Sequence, residues 1–599
     1  LRLTSVFQYA NSYAAFLIGF FLLLMAVITH ARRSWVASLA AMPVVSVLLA
    51  FLLTQSRGGY LMLPVASLLF LAFIRTHRQI VFLALSFLAA TMAVLLYDSV
   101  FSIGLQSVQE GFNPSLPLRG WGMLLPASVL FAALVFLIHR FAVPQLEALV
   151  VRRVRFRGNQ LVLPIAGLVL GTVGISLLLR GTALIRWLPE ALRARIETIN
   201  LAQHSVLERW TFYKDIFKMV RDYPWFGAGG SSWAMLYGRY QNNPYTSNDP
   251  HSFYLQYLLD TGFIGFVLFV GFLAFCLTAA VHKAFRLRFE WEATTPACFG
   301  MLLGLAVHSA IDLNMNYMFL GVLFFLCLGV IAAQVPEVEA SGDNKDLVTN
   351  ETVPAGGKRE RSKASGSKRD RASVRKRAKI VSPAAARQRK VVFAISAVCL
   401  AGALALATIA SLRLSAHNIY YNAMVEASRT EVDIEELDNK LRQALKTVPH
   451  HPIYLAQRSS LMLQVFESTR DLRFLREAEI MAERLAHAEP NRIDVVNLRI
   501  RLAHAQGNRE EALKALENGL LMFPWDMSMY AQLFELHFAL GREAAQRGDE
   551  DAKRRHWEAI IRWGKVIDER IAHLATLPEG QVQGRPFAMT QRMKNILTR

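Results

Sequence analysis

The chain has 599 residues, is 53% hydrophobic, and carries a formal net charge of +20. These values coexist only where apolar and charged residues are segregated: residues 1–335 hold repeated apolar runs of membrane-spanning length, and residues 358–390 hold 14 Lys/Arg against 2 Asp/Glu, a local net of +12. Most of the excess charge is therefore one short tail, and with no aromatic-interleaved basic groove or recognisable motif, nucleic acid is excluded as a partner.

Ten candidate spans follow in order: 13–29, 35–54, 60–74, 80–97, 122–142, 161–179, 253–281, 294–311, 317–334 and 391–412. The span at 60–74 is short, and the one at 253–281 is long enough to tilt or to begin at the interface. The chain begins at Leu1 rather than Met, with neither a signal peptide nor a transit segment, and truncation of earlier spans is expected. The loops at 30–34, 75–79, 151–160 and 282–290 are basic, like the tail at 358–390. They alternate with loops poor in Lys/Arg, so the basic set is predicted to be cytoplasmic. That leaves 1–12, 55–59, 98–121, 180–252, 312–316 and everything after 412 outside. The long loop 180–252 contains many cations, but long loops translocate largely regardless of charge.

Residues 336–390 read as a basic, disordered cytoplasmic linker that anchors topology, with anionic membrane lipid as a compatible contact. Beyond 412 the apolar residues recur at helical spacing. Pro490 and Pro524 are separated by the 34-residue period of a tetratricopeptide repeat, and Gly507 to Leu513 resembles the turn and second helix of one. The predicted fold is all-α: a polytopic transmembrane helical domain (1–335), the linker (336–390), a further transmembrane helix (391–412), and an extracytoplasmic tetratricopeptide-like helical-repeat domain (413–599). An irregular helical bundle is the alternative for the last part. Cys276, Cys298, Cys327 and Cys399 all sit in apolar runs without metal-ligand spacing, so no disulfide framework and no metal site is predicted.

The polar interval from His204 to Gly265 concentrates the chemistry. Arg209 opens an amphipathic segment predicted to be a helix on the outer membrane face; Asp222-Tyr223-Pro224 breaks it, and the glycine turn Gly227 to Gly230 follows. That turn offers backbone N–H groups to a phosphate but lacks the lysine of a nucleotide-binding loop. His251 follows Pro250 and is predicted in the first turn of the next span, where a helix N-terminus keeps an imidazole neutral and able to accept a proton. Upstream, Arg57 lies between two spans beside Gly58 and Gly59, a bare backbone that a bulky headgroup can approach. Taken singly, Arg57 and Arg209 equally suit interfacial anchoring or solvation, and His251 a structural role. His308 and Asp312 are possible supporting polar groups.

The stretches RLTSVFQYANSYAAFL, TQSRGGYL, ERWTFYKDIFKMVRDYPWFGAGGSSW and HSFYLQYLLDTGFIG together resemble the O-antigen ligase and polymerase superfamily of bacterial membrane glycosyltransferases, over roughly residues 1–335. Asp260 stands where that family often has Glu. The resemblance implies an all-helical inner-membrane enzyme with its catalytic loop outside. It implies an undecaprenyl-diphosphate-linked glycan donor, transfer without a cofactor or metal, and a sugar, lipid or protein acceptor. It places Arg57 and Arg209 on the diphosphate, with Gly58, Gly59 and Tyr254 in the substrate site, and makes His251 the essential histidine. A protein partner for the repeat region is compatible with it. No catalytic motif lies beyond 412, so that region is expected to be dispensable for chemistry. Ligase, polymerase and protein oligosaccharyltransferase stay open, as does a non-enzymatic membrane-anchored scaffold. A transporter is disfavoured, because the charges cluster in a loop rather than at span midpoints.

Overall fold

In the computed structural model, residues 2–109, 111, 113–153, 159–179, 189–197, 204–286, 293–333, 383–428, 433–578, 581 and 586–598 are described. The fold is all-α; no strand occurs among the described residues. The first part runs α1 (Ala10–His30), α2 (Ser34–Ala41), α3 (Val44–Leu53), α4 (Arg57–Leu71), α5 (Thr76–Gln109), α6 (Ser115–Leu137), α7 (Val143–Arg153), α8 (Val162–Leu179), α9 (Glu190–Glu197), α10 (His204–Asp222), α11 (Ser232–Tyr240), α12 (Phe253–Arg286), α13 (Thr294–His308) and α14 (Met318–Ala333). The second part runs α15 (Pro383–Ala427), α16 (Ile434–Thr447), α17 (Pro452–Thr469), α18 (Leu472–Ala488), α19 (Ile493–Ala505), α20 (Arg509–Met522), α21 (Met527–Arg547), α22 (Glu550–Ala575) and α23 (Gln591–Leu597).

Among the described residues six helical stretches are long and apolar enough to cross a membrane: Ala10–His30, Ser34–Leu53, Thr76–Gln109, Ser115–Val150, Phe253–Thr278 and Leu400–Ala427. Four shorter apolar helices, beginning at Arg57, Val162, Thr294 and Met318, occupy the other predicted spans. The protein is a multi-pass membrane protein. The predicted span 122–142 is part of a longer rod, in which a π-helical turn at Ile138–Ala142 joins α6 to α7. Most of the basic linker lies outside the described residues.

The chain divides into two compact units, Leu1–Pro336 with Leu520–Arg599, and Glu337–Gly519. At the heart of the first is α1, apolar on every side and buried along most of its length, as a helix enclosed by others must be. It crosses α13 at backbone contact distance: a Cβ on Gly304 would fall 2.6 Å from the Gly19 Cα, and one on Gly300 would fall 2.9 Å from the Leu22 carbonyl carbon. Glycines four residues apart clear one face of α13, and close crossings of this kind hold membrane helices together where apolar burial offers no drive. The crossing carries the residues after α13 to the residues before α1.

The polar interval folds around its own core of Phe212, Ile216, Met219 and Val220 from α10, Trp233 and Leu236 from α11, Tyr245, and Leu258 and Leu259 from α12. Asp215, fully buried, accepts hydrogen bonds from Lys218 Nζ (2.6 Å), Tyr245 Oη (2.7 Å) and the Asn242 amide (3.3 Å), which pin the aromatic arm to α10. Helix α12 breaks at Gly262, whose φ of 67° and ψ of −174° suit only glycine. The glycine turn lies against this break. Ala228 and Gly229 donate to the carbonyls of Leu259 (2.9 Å) and Asp260 (3.1 Å), and Phe263 donates to Pro224 O (2.8 Å). A Cβ on Gly262 would meet the Trp225 carbonyl carbon at 2.4 Å. Two of the amides that the sequence offers to a phosphate, those of Ala228 and Gly229, are thus spent on a backbone clasp. In the second unit, α16 to α19 form consecutive helix–turn–helix steps over a core including Tyr454, Leu455, Leu463 and Leu485.

Candidate functional site

The site forms where the chain before α1, the turn into α4, helices α9 and α10, and the loop after α13 converge. Helix α4 begins at Arg57 because Ser56 caps it, its Oγ accepting from the Gly59 amide at 3.1 Å. Gly58 lines the site, but its bare face meets Ile311, whose Cδ1 would lie 2.8 Å from a Cβ there. Gly59 is buried against Ala14 and Phe51 and packs helices rather than facing the site. Tyr254 likewise turns to a neighbouring helix, with Oη donating to the Ala306 carbonyl at 3.0 Å. The substrate contacts expected of Gly59 and Tyr254 are not what their surroundings provide.

Arg57 and Arg209 do come together. They line a cavity of about 630 Å³ with two arginines that sequence reasoning passed over, Arg2 and Arg195. No described lining residue is acidic. Arg2 Nε and Arg195 Nε donate to the carbonyls of Thr54 and Gln55, both at 3.0 Å, at the C-terminal end of α3, where carbonyls lack helical partners. Burial and then the neighbouring Arg195 push the Arg2 guanidinium below its ordinary value, as expected where like charges crowd. Arg57 Nη2 approaches Ser205 Oγ at 3.5 Å. The rest of the lining is largely apolar, with Leu61 and Met62 from α4, Val206, Leu207 and Trp210 from α10, and Ile311.

Behind this cavity stands Asp312, 2% exposed. Its Oδ2 accepts from Asn11 Nδ2 (2.8 Å) and Tyr9 Oη (3.1 Å) and lies 3.6 Å from Arg209 Nη2. Its Oδ1 accepts from the Leu313 amide (2.9 Å) and lies 3.4 Å from His251 Nδ1. Burial alone would raise its pKa; the hydrogen bond to His251 and the charge of Arg209 outweigh burial and hold the carboxyl well below the usual range. The Asn11 side chain continues the network, with Oδ1 accepting from Ser56 Oγ (2.8 Å) and Arg2 Nη2 (3.0 Å).

His251 precedes α12 rather than occupying its first turn. Its φ is 54°, a left-handed conformation uncommon outside glycine and asparagine, and the helix starts at Phe253. The ring is held by Asp312 at Nδ1 and by Phe212, whose ring centroid lies 6.3 Å away; Tyr213 Oη, which lines the cavity, donates to the His251 carbonyl at 3.0 Å. A carboxylate at Nδ1 fixes the tautomer that leaves Nε2 as a proton acceptor and stabilises the imidazolium once formed. This replaces the helix N-terminus as the local influence on the ring.

Of the groups missed, Asp312 showed only as a polar residue near a span end, while Tyr9, Asn11, Arg2 and Arg195 gave no signal separable from interfacial polarity. Among the described residues no group of three or more His, Cys, Asp or Glu side chains is placed to hold a metal ion. No curated protein and no solved structure matches the chain. A family model described as O-antigen ligase matches residues 42–270, a segment that includes Arg57, Arg195, Arg209 and His251. Over residues 42–270 the chain carries a domain of the O-antigen ligase family, which supports a ligase-like or related membrane glycosyltransferase.

Proposed function

We propose that the protein transfers a glycan from a polyprenyl diphosphate carrier to an acceptor hydroxyl at the outer face of the bacterial cytoplasmic membrane. The observation that carries this reading is the cavity itself: four arginines, no acidic residue among the described lining residues, and a largely apolar remainder. Such a site suits a ligand that is dianionic at one end and hydrocarbon at the other. An arginine fork matches two phosphate oxygens and keeps its charge at any working pH.

The chemistry follows from the same groups. The acceptor oxygen forms a bond to the anomeric carbon while the bond from that carbon to the diphosphate oxygen breaks. Arg57 and Arg209 take up the charge that develops on the departing diphosphate, and fixed cations aimed at developing charge usually supply the largest catalytic contribution. His251 Nε2 accepts the acceptor's proton, and Asp312 holds the imidazolium through Nδ1. Arg2 and Arg195 serve as a second, more anchored pair of cations. The helix–turn–helix steps after α15 are read as a tetratricopeptide-like surface open to a protein partner.

The acceptor is a core sugar lipid, a growing glycan or a protein hydroxyl. Deleting the gene and analysing glycoconjugates by mass spectrometry tests both the class and the acceptor. Transfer predicts that lipid-linked oligosaccharide accumulates and that one class of conjugate disappears. A non-enzymatic scaffold predicts no accumulation.

A further inference from the structure

The last part of the chain is folded onto the polar interval that carries Arg209. Three consecutive residues of the aromatic arm are engaged: Trp525 Nε1 donates to the Gln241 carbonyl (3.0 Å), His573 Nε2 lies 3.1 Å from the Asn242 carbonyl, and Asn243 Nδ2 donates to the Gln581 carbonyl (3.2 Å). Gln581 Nε2 then reaches α10 itself and donates to Thr211 Oγ1 at 2.8 Å. Thr211 and Asn243 are almost fully buried. The Phe523 ring seats on α11 where Gly238 has no side chain; its Cδ1 would lie 2.6 Å from a Cβ there. Trp525 is held from behind by Phe587, at a centroid distance of 5.1 Å, and by the Arg570 guanidinium at 5.1 Å.

These contacts converge on the segment that positions the cationic cavity. Thr211 stands between Arg209 and Tyr213 on α10, and the 241–243 run is tied to the same helix through Asp215. Two of the three arm contacts use backbone carbonyls and the third the Asn243 side chain, so the contact demands one arm conformation but few particular arm side chains. We propose that Phe523, Trp525, His573 and Gln581 form an intramolecular clamp that fixes α10 over the cavity, with Gln581 as a positioning residue for Arg209; the catalytic part of this inference rests on the transfer reading above. The region that sequence alone marked as dispensable for chemistry would then belong in part to the catalytic unit. Small displacements of a positioned group cost large factors in rate, so loss of one anchoring bond is expected to lower turnover on the order of tenfold.

The test uses the purified full-length protein and three single variants, Gln581→Ala, Trp525→Phe and Thr211→Val, with Thr211→Ser as the conservative control that keeps the accepting hydroxyl. Two readouts are taken. Hydrogen exchange across 204–245 reports the clamp without reference to activity, and turnover on a lipid-diphosphate glycan reports positioning. The clamp predicts faster exchange across 204–245 and about tenfold lower turnover in all three variants, an unchanged melting temperature, and near-normal behaviour of Thr211→Ser. Unchanged exchange in Gln581→Ala and Trp525→Phe overturns the clamp. Faster exchange with full turnover overturns the positioning role. A wild-type chain that transfers nothing defeats the transfer reading instead, and the exchange data alone then decide the clamp. Gly238→Leu, which wedges Phe523 away, is the independent check: exchange must rise there too, and protection at the wild-type level counts against the clamp.

Discussion

At Asp312 a single buried carboxylate faces the Arg209 guanidinium and the His251 imidazole, and its removal should be felt by both. Asp312→Asn keeps the shape and most hydrogen bonds but leaves Arg209 without its counter-charge and His251 without the group that fixes its tautomer. Turnover should fall at least about a hundredfold. The same carboxyl makes a pH prediction. Its pKa is depressed in the folded protein, so its stabilising contribution is present above the ordinary value of 3.8 and is lost as pH falls below it. Acid unfolding followed by tryptophan fluorescence in detergent should show that lost contribution in the wild type, and a shallower acid limb in Asp312→Asn. An identical acid limb in both would mean that the carboxylate is not held ionised by its neighbours.

The arginines divide by how the fold uses them. Arg2 and Arg195 already cap the end of α3, whereas Arg57 and Arg209 point their guanidinium groups at the cavity and at Asp312. Arg57→Lys and Arg209→Lys keep the charge and lose the fork, and each should cost about a hundredfold in turnover, or roughly 3 kcal/mol in the barrier. Arg239→Lys provides the contrast, since that side chain lies over the Tyr240 ring, away from the cavity lining, and should be nearly silent. Near-wild-type turnover in Arg57→Lys, together with activity in His251→Ala, would point to anchoring rather than catalytic roles.

Among the elements, α13 and α12 show why the site was only partly legible in the sequence. Arg57 and His251 stood out because each lies in a polar break beside glycine or proline, and Arg209 because it opens an amphipathic run in the longest polar interval; such patterns are visible in one dimension. Asp312 and Asn11 did not, because what joins them is the close crossing of α1 and α13 through Gly19, Gly300 and Gly304, a contact between residues about three hundred positions apart. Local pattern carries helix periodicity and turn chemistry but not which two faces meet. The glycine turn misled in the opposite direction, since its amides look available until the break at Gly262 is laid against them. Gly262→Ala therefore tests the clasp. A positive φ and a Cβ 2.4 Å from a backbone carbon should together cost about 1–3 kcal/mol, read as a lower melting temperature. Gly304→Ala presses the same way on the α1/α13 crossing, with overpacking of about 1–3 kcal/mol. It should also lower turnover, because Asp312 rides on that crossing; full turnover at reduced stability would detach the crossing from the site.

For the whole molecule, the path of the chain and the contacts it makes constrain each other. If every apolar helix crosses once, the residues before α1, the turn into α4, the interval 189–252 and the loop after α13 all emerge on one side of the membrane. These are the segments that the site brings together. Among the described residues four more apolar helices separate His251 from residue 428, an even number, so on the same assumption the chain has returned to that side by Trp525. The hydrogen bonds from Trp525, His573 and Gln581 to the 204–252 interval require that return. The positive-inside rule predicts that the basic linker is cytoplasmic. The orientation can be read directly in intact spheroplasts with single cysteines and a membrane-impermeant thiol reagent, in a background free of other reactive cysteines. Ser231 and Ser528 are both exposed, one in the turn before α11 and one in the first turn of α21, and both positions should label when changed to cysteine. A cysteine at position 365, within the basic linker, should label only after the membrane is breached. Labelling at 365 alone would invert the topology and place the arginine cavity on the cytoplasmic face. Labelling at 231 without 528 would separate the two segments that the clamp joins, so the same three cysteines test both the proposed orientation and the packing of the chain's last part against its catalytic loop.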